Sequence, residues 1–170
     1  SESGGQRVAR EIEAAGGRAL FVKTDVSDEQ SACDCVAAAE KAFGSVNYLI
    51  NNAAIFGDMK IEGYLTVDMD YLEKFMRVNA HGALIMTRAV VDSMASAGGG
   101  AIVNQSSTAA WMGMGFYGVA KLTLNGITQS LAHELGPRNI RINAIAPGPT
   151  DTGALQKTAG DYAQQMLQAM

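Results

Sequence analysis

The sequence predicts an α/β fold with a doubly wound parallel sheet, and three observations carry that expectation. Segments of helical periodicity alternate with short apolar runs along the whole chain. The connections between successive runs are long enough to hold a helix, as a right-handed parallel crossover requires. Each short run also ends in polar or glycine-containing sequence, at Thr24-Asp25, Asn51-Asn52, Ser106-Ser107 and Pro147-Gly148. In open sheets of this class ligands bind outside the carboxyl ends of the strands, so a site is expected along that edge.

Val8 and Ile12 lie four apart on a segment that stops at Gly16-Gly17, a pattern for a helix closed by a left-handed glycine. Ala19-Leu20-Phe21-Val22 reads as a buried strand ending at Thr24-Asp25. Ser27 with Gln30 three residues on has the capping-box spacing, and Cys33, Val36, Ala37 and Phe43 continue it as a helix to Gly44. Tyr48-Leu49-Ile50 is the next strand, breaking into Asn51-Asn52-Ala53-Ala54. One long helix is expected over 68–97, its stripe formed by Leu72, Met76, Asn79, Ala83, Met86, Val90 and Met94 and its end by Gly98-Gly99-Gly100. Ala101-Ile102-Val103 follows as a strand. Tyr117 then opens a helix with Ala120, Leu124, Ile127, Leu131 and Leu135 on its apolar face, stopped by Gly136-Pro137. A last strand covers 140–146, and a further helix is expected from Thr158.

The chain has 170 residues, 48% of them hydrophobic and 18% charged, with 19 glycines and 3 prolines. That composition suits one domain over 1–170 with a real core and excludes disorder or a collagen-like structure. A net charge of −4 with scattered basic residues gives no footprint for nucleic acid or anionic lipid. No apolar run approaches a membrane span and no charged-then-apolar N-terminal segment suggests a secretory signal, so the expected location is the cytoplasm. Cys33 and Cys35, two apart on a helix, point to different faces; they read as reduced thiols, and no metal site is expected. His81 and His133 fall off the apolar stripes, and no Gly-x-Ser-x-Gly elbow supports a hydrolase.

Three places carry candidate chemistry. Tyr117 and Lys121 are four apart, placing phenol and ammonium on one helix face, where the cation would favour the phenolate and bring it toward the working range. Taken alone the spacing is common, and a half-buried tyrosine beside a solvated lysine is its plainer reading. Asn79 interrupts an apolar stripe, so its amide needs partners, either neighbouring backbone or an ordered water. Ser106 or Ser107 could polarise a carbonyl at the cleft, and strand-end serines are also plain turn formers. Trp111 sits between the serines and the tyrosine as a candidate cleft wall.

In this order the residues resemble the short-chain dehydrogenase/reductase family over essentially the whole chain. Asn51-Asn52-Ala53-Ala54 resembles its Asn-Asn-Ala-Gly motif, with alanine for the final glycine. Val78-Asn79 resembles its helix asparagine, and Tyr117 with Lys121 its Tyr-x-x-x-Lys pair. Pro147-Gly148 with Thr152 resembles its nicotinamide-side loop, and Asp25-Val26 its adenine-flanking pair. Ser107 resembles its carbonyl-binding serine, although its ten-residue separation from Tyr117 is shorter than the family commonly shows, which leaves Ser106 open as well.

The resemblance implies a Rossmann-like sheet and reversible hydride transfer between nicotinamide C4 and a secondary alcohol or ketone. It assigns Asn79, Ser107, Tyr117 and Lys121 to catalysis: proton transfer by Tyr117, a hydrogen bond from Ser107, a lowered Tyr117 pKa and a hold on the ribose from Lys121, and a relay water at Asn79. It assigns Asp25, Val26, Asn52, Ala53, Ala54, Pro147, Gly148, Thr150 and Thr152, with Tyr117 and Lys121, to binding NAD or NADP. The partners it implies are a small alcohol or ketone and a second copy of the chain, as a homodimer or homotetramer. It further implies that the first two strands, with their glycine-rich phosphate loop, and the last strand lie outside these 170 residues. Two other readings are a nucleotide-sugar epimerase or dehydratase on the same scaffold and an inactive fragment acting as an interaction module.

Overall fold

A computed structural model describes residues 2–57 and 59–159. Its elements in chain order are α1 (Glu2–Ala14), α2 (Glu29–Phe43), β1 (Tyr48–Asn51), α3 (Met69–Met76), a π turn (Arg77–His81), α4 (Gly82–Ser96), β2 (Gly100–Gln105), a 3₁₀ turn (Thr108–Trp111), α5 (Gly115–Leu135), a second 3₁₀ turn (Gly136–Arg138), β3 (Ile140–Ile145) and α6 (Gly153–Ala159). The three strands form one parallel sheet in the order β1-β2-β3, with Ile50 opposite Val103 and Ile102 opposite Ile142. Because the order advances in one direction, right-handed crossovers place α4 and α5 on the same face. That face holds the main core: Ile102, Ile140 and Ile142 of the sheet, Val90 and Met94 of α4, Leu131 and Leu135 of α5, and Val36 of α2. The other face shows Tyr48, Ile50, Arg141 and Asn143 to solvent.

Several expected elements are corrected. Residues 19–22 form no ladder, since a strand exists only when a neighbour accepts and donates its backbone hydrogen bonds, and among the described residues none does so. The α2 cap is Asp28, whose side chain accepts from the Ser31 N–H, because Ser27 is already bonded to Asp25. The long helix is interrupted at 77–81 by the π turn, and Asp68 caps its start. Gly136 is right-handed; the left-handed residue after α5 is Asn139, with φ 56. Gly16 does take the left-handed conformation expected of it, with φ 85. The tail helix expected from Thr158 lies mostly outside the described residues, and α6 ends at Ala159.

A second, aromatic core lies under the start of α5. Phe75 and Phe116 meet edge-to-face with ring centroids 4.8 Å apart, and Val67 and Ala120 complete it. The main core holds the far end of α5 against the sheet and the aromatic core holds its start against α3, and together they fix what projects beyond the carboxyl end of β2.

Candidate functional site

Ser107 leaves β2 extended and caps the first 3₁₀ turn, its Oγ accepting from the Ala109 N–H at 3.2 Å. That turn lies close to α5, because Gly118 presents no side chain: a Cβ there would stand 2.6 Å from the Ala109 carbonyl oxygen. The approach brings Ser107 into hydrogen-bond contact with Tyr117, the residue before Gly118. Ser106, one residue earlier, is buried and turns its Oγ toward the Lys121 carbonyl at 3.4 Å. Of the two serines, Ser107 faces the phenol.

Lys121 is not solvated. It is 3% exposed, and its Nζ donates to the Gln105 carbonyl at 2.7 Å and stands 5.8 Å from the centre of the Tyr117 ring. Burial lowers its pKa to about 8, so the ammonium form still predominates at neutral pH. Tyr117 corrects the sequence expectation in direction. Burial raises the pKa of its phenol above the usual value, and the hydrogen bond from Ser107 offsets only part of that rise. The lysine lies near the ring, but loss of water around the phenol dominates.

Asn79 is buried within the π turn, and its amide is satisfied by backbone. Its Oδ1 accepts from the Ile55 N–H at 2.8 Å and its Nδ2 donates to the Ile55 carbonyl at 3.2 Å. The asparagine therefore pins the loop after β1 onto the helix. Next to it lies a cavity of about 10 Å³ bordered by Asn51, Asn79, Gln105 and Lys121, close to the smallest volume that holds one water.

The residues assigned to cofactor binding lie in the segments after β1 and β3 and, for Asp25 and Val26, in the segment before α2. Asn52, Ala53 and Ala54 are exposed just beyond β1, and Ala53 also borders the small cavity. Asp25 is exposed, and its Oδ1 accepts from the Ser27 N–H and hydroxyl at 2.9 and 2.6 Å, bonds that lower its pKa. Val26 packs on Gly82, where a Cβ would approach the valine to 2.9 Å. Beyond β3, the Pro147 carbonyl accepts from the Thr108 N–H at 3.0 Å. Thr150 bonds back to the Gly148 carbonyl, and the Thr152 Oγ1 accepts from the Leu155 N–H. The structure thus brings Ser107, Tyr117 and Lys121 together, with Asn79 across the small cavity from the lysine.

Sequence reading missed four neighbours. The Gln105 carbonyl that holds Lys121 is backbone and leaves no side-chain signal. Phe56 lies with its ring centre 5.3 Å from that of Tyr117. Asn104 and Thr128 are buried and bonded to each other at 2.9 Å. Their signal was a polar residue two positions after Ile102 in a buried strand and another between Leu124 and Leu131 on the apolar face of α5. Trp111 stands 67% exposed on the 3₁₀ turn. Cys33 and Cys35 are free thiols. Among the described residues no helix is long and apolar enough to cross a membrane.

A parallel α/β sheet with serine, tyrosine and lysine converging at one strand end defines the class, and comparison with known proteins agrees. The family model described as Enoyl-(Acyl carrier protein) reductase matches residues 1–170. The chain belongs to the short-chain dehydrogenase/reductase family. It is 56% identical over 153 residues to an uncharacterized oxidoreductase of Mycobacterium tuberculosis, covering 89% of this chain and 62% of the relative. It is 38% identical over 152 residues to an L-rhamnose 1-dehydrogenase (NAD(P)(+)) of a Sphingomonas strain, covering 87% of this chain and 59% of that protein. Among solved structures it is similar to one from Sinorhizobium meliloti assigned as a short-chain alcohol dehydrogenase. The TM-score is 0.86 at 33% identity, over 99% of this chain and 66% of that one. The chain spans about three-fifths of the length of the curated relatives it matches.

Proposed function

We propose that the chain carries the proton-transfer half of an NAD(P)-dependent oxidoreductase acting on a secondary alcohol or ketone, with Tyr117 as general acid and base. The observation that carries this reading is the convergence of Ser107, Tyr117 and Lys121 at the carboxyl end of β2, with Lys121 buried and anchored on Gln105. The residues fit a nicotinamide dinucleotide through the chemistry of their donors. An ammonium has three N–H groups, and among the described residues Lys121 places one on Gln105, leaving others for a pair of ribose hydroxyls. The bound nicotinamide supplies hydride exchange at its C4.

In the reducing direction the Ser107 hydroxyl donates to the substrate carbonyl oxygen. Tyr117 donates to the same oxygen and gives up its proton as negative charge develops there. Its raised pKa keeps the phenol protonated at neutral pH, the form an acid requires. In the oxidising direction the phenolate accepts the alcohol proton, and the charge on Lys121 steadies it. The small cavity beside Asn79 and Lys121 gives a proton a polar way out, through a single water. Asn52, Ala53, Ala54, Asp25 and Val26 would lie along the adenosine, and Pro147, Gly148, Thr150 and Thr152 along the carboxamide. Val119 and Leu122, apolar and exposed on α5, support pairing of two copies into a homodimer or homotetramer.

Titration with NADH and with NADPH, following the fluorescence of the single tryptophan Trp111, tests the cofactor; saturable quenching by either is expected, and the stronger ligand identifies the preferred one. Turnover of simple ketones with matching loss of NAD(P)H absorbance tests the reaction. Tyr117→Phe is expected to lower kcat by at least a hundredfold while leaving cofactor affinity within a few fold. Undiminished turnover in that variant overturns the assignment.

A further inference from the structure

We propose that Asn104 and Thr128 are positioning residues, a buried hydrogen bond that sets where α5 stands along β2 and so where Tyr117 and Lys121 meet Ser107. The inference rests on the function proposed above. Asn104 is fully buried in the central strand, on the same face as the core residue Ile102. Every polar atom of the pair is used. Asn51 Nδ2 donates to Asn104 Oδ1 at 2.8 Å and lies 3.3 Å from the Ala83 carbonyl. Asn104 Nδ2 donates to Thr128 Oγ1 at 2.9 Å, and that hydroxyl donates onward to the Leu124 carbonyl at 2.7 Å. One line of hydrogen bonds therefore joins α4, β1, β2 and α5.

The line is placed to act on the site. Asn104 immediately precedes Gln105, which holds the Lys121 ammonium, and lies three residues before Ser107. Thr128 lies seven residues, about two helical turns, beyond Lys121 and shares its face of α5. The two contacts between strand and helix differ in stiffness. The long stem of Lys121 can follow a helix that slides, whereas the threonine hydroxyl is one bond from its Cβ and its hydrogen bond weakens steeply with distance and angle. Apolar packing of Ile102 against Leu131 tolerates small sliding; the Asn104–Thr128 bond has one register. A fully satisfied polar line in a core fixes a single arrangement.

The test uses Thr128→Val, which keeps the shape and removes the hydroxyl, Thr128→Ser, which keeps the hydroxyl, and the double variant Asn104→Leu/Thr128→Val, which removes both polar partners. Thr128→Val is expected to lower kcat about tenfold or more with KM for NAD(P)H nearly unchanged, and Thr128→Ser to restore most of it. The double variant is expected to regain thermal stability without regaining kcat. A second readout needs no cofactor: the NMR titration of the Lys121 ammonium should move in Thr128→Val and return in Thr128→Ser. The proposal is overturned if Thr128→Val keeps wild-type kcat and Lys121 titration, or if kcat follows thermal stability across the series. Tyr117→Phe assayed in parallel separates the two ideas. Full activity there removes the catalytic reading, while the Lys121 titration still decides whether Asn104 and Thr128 position that side chain.

Discussion

The two faces of the sheet are built from the same kind of residues and are held very differently. On the covered face Ile102, Ile140 and Ile142 are buried under α4 and α5. On the opposite face, Ile50 is 70% exposed and Tyr48 is 78% exposed. The same contrast separates helices: α1 is amphipathic, with Val8 and Ile12 at helical spacing, yet it buries no residue, and Leu20 and Phe21 face it across an apolar groove. Apolar pattern gives an element a face; burial of that face depends on what the topology lays over it. The chemistry follows the packing, since Ser107 stands just beyond the carboxyl end of β2 and Tyr117 and Lys121 stand on α5, in the well-packed half.

Four measurements by urea unfolding test this contrast. The largest effect is expected for Ile102→Ala, which opens a cavity between α4 and β2 and should cost about 4 kcal/mol. An effect near zero would mean the covered face is looser than its burial implies.

Next comes the pH dependence set by Lys121. Its folded pKa of about 8 lies below the ordinary 10.5, so between those values the unfolded chain holds more protons. Stability should therefore rise with pH from 8 toward 10, and at neutral pH the buried charge costs about 3 kcal/mol. Lys121→Met should flatten that rise. A wild-type profile already flat over the window would place the lysine in contact with water.

Third, Gly118→Ala forces a methyl onto the Ala109 carbonyl and should cost about 2 kcal/mol while separating Tyr117 from Ser107. The smallest effect is expected for Ile50→Thr on the open face, within about 0.5 kcal/mol of wild type. A cost as large as that of Ile102→Ala would show that something covers Ile50.

What the sequence revealed follows the range of each signal. Alternating periodicities gave α2, β1, β2, α5 and β3 to within a few residues, because each is written in its own side chains. The segment at 19–22 carried a strand's composition without a strand's neighbours among the described residues, and pairing is not encoded locally. The cap of α2 was a choice between two adjacent competent residues, settled when Asp25 engaged Ser27. The π turn left no mark beyond Asn79, the polar residue in the apolar stripe. At the site, Tyr117 and Lys121 were legible from a four-residue spacing. The direction of the tyrosine's pKa was not, because desolvation depends on every atom packed around the ring. Asn104 and Thr128 stayed hidden for the same reason that pairing did: their bond joins two elements 24 residues apart.

One arrangement at the end of the sheet has a mechanical meaning. The ladder between β2 and β3 does not stop where the strands do. Ser106 N–H donates to the Ile145 carbonyl at 2.7 Å and Thr108 N–H to the Pro147 carbonyl at 3.0 Å. The two segments that leave the sheet there are fastened to each other on either side of Ser107, which ties the serine to the start of the loop after β3. The amides of Ser106 and Thr108 are accordingly expected to exchange their hydrogens with solvent as slowly as those of the sheet, which hydrogen exchange followed by NMR checks.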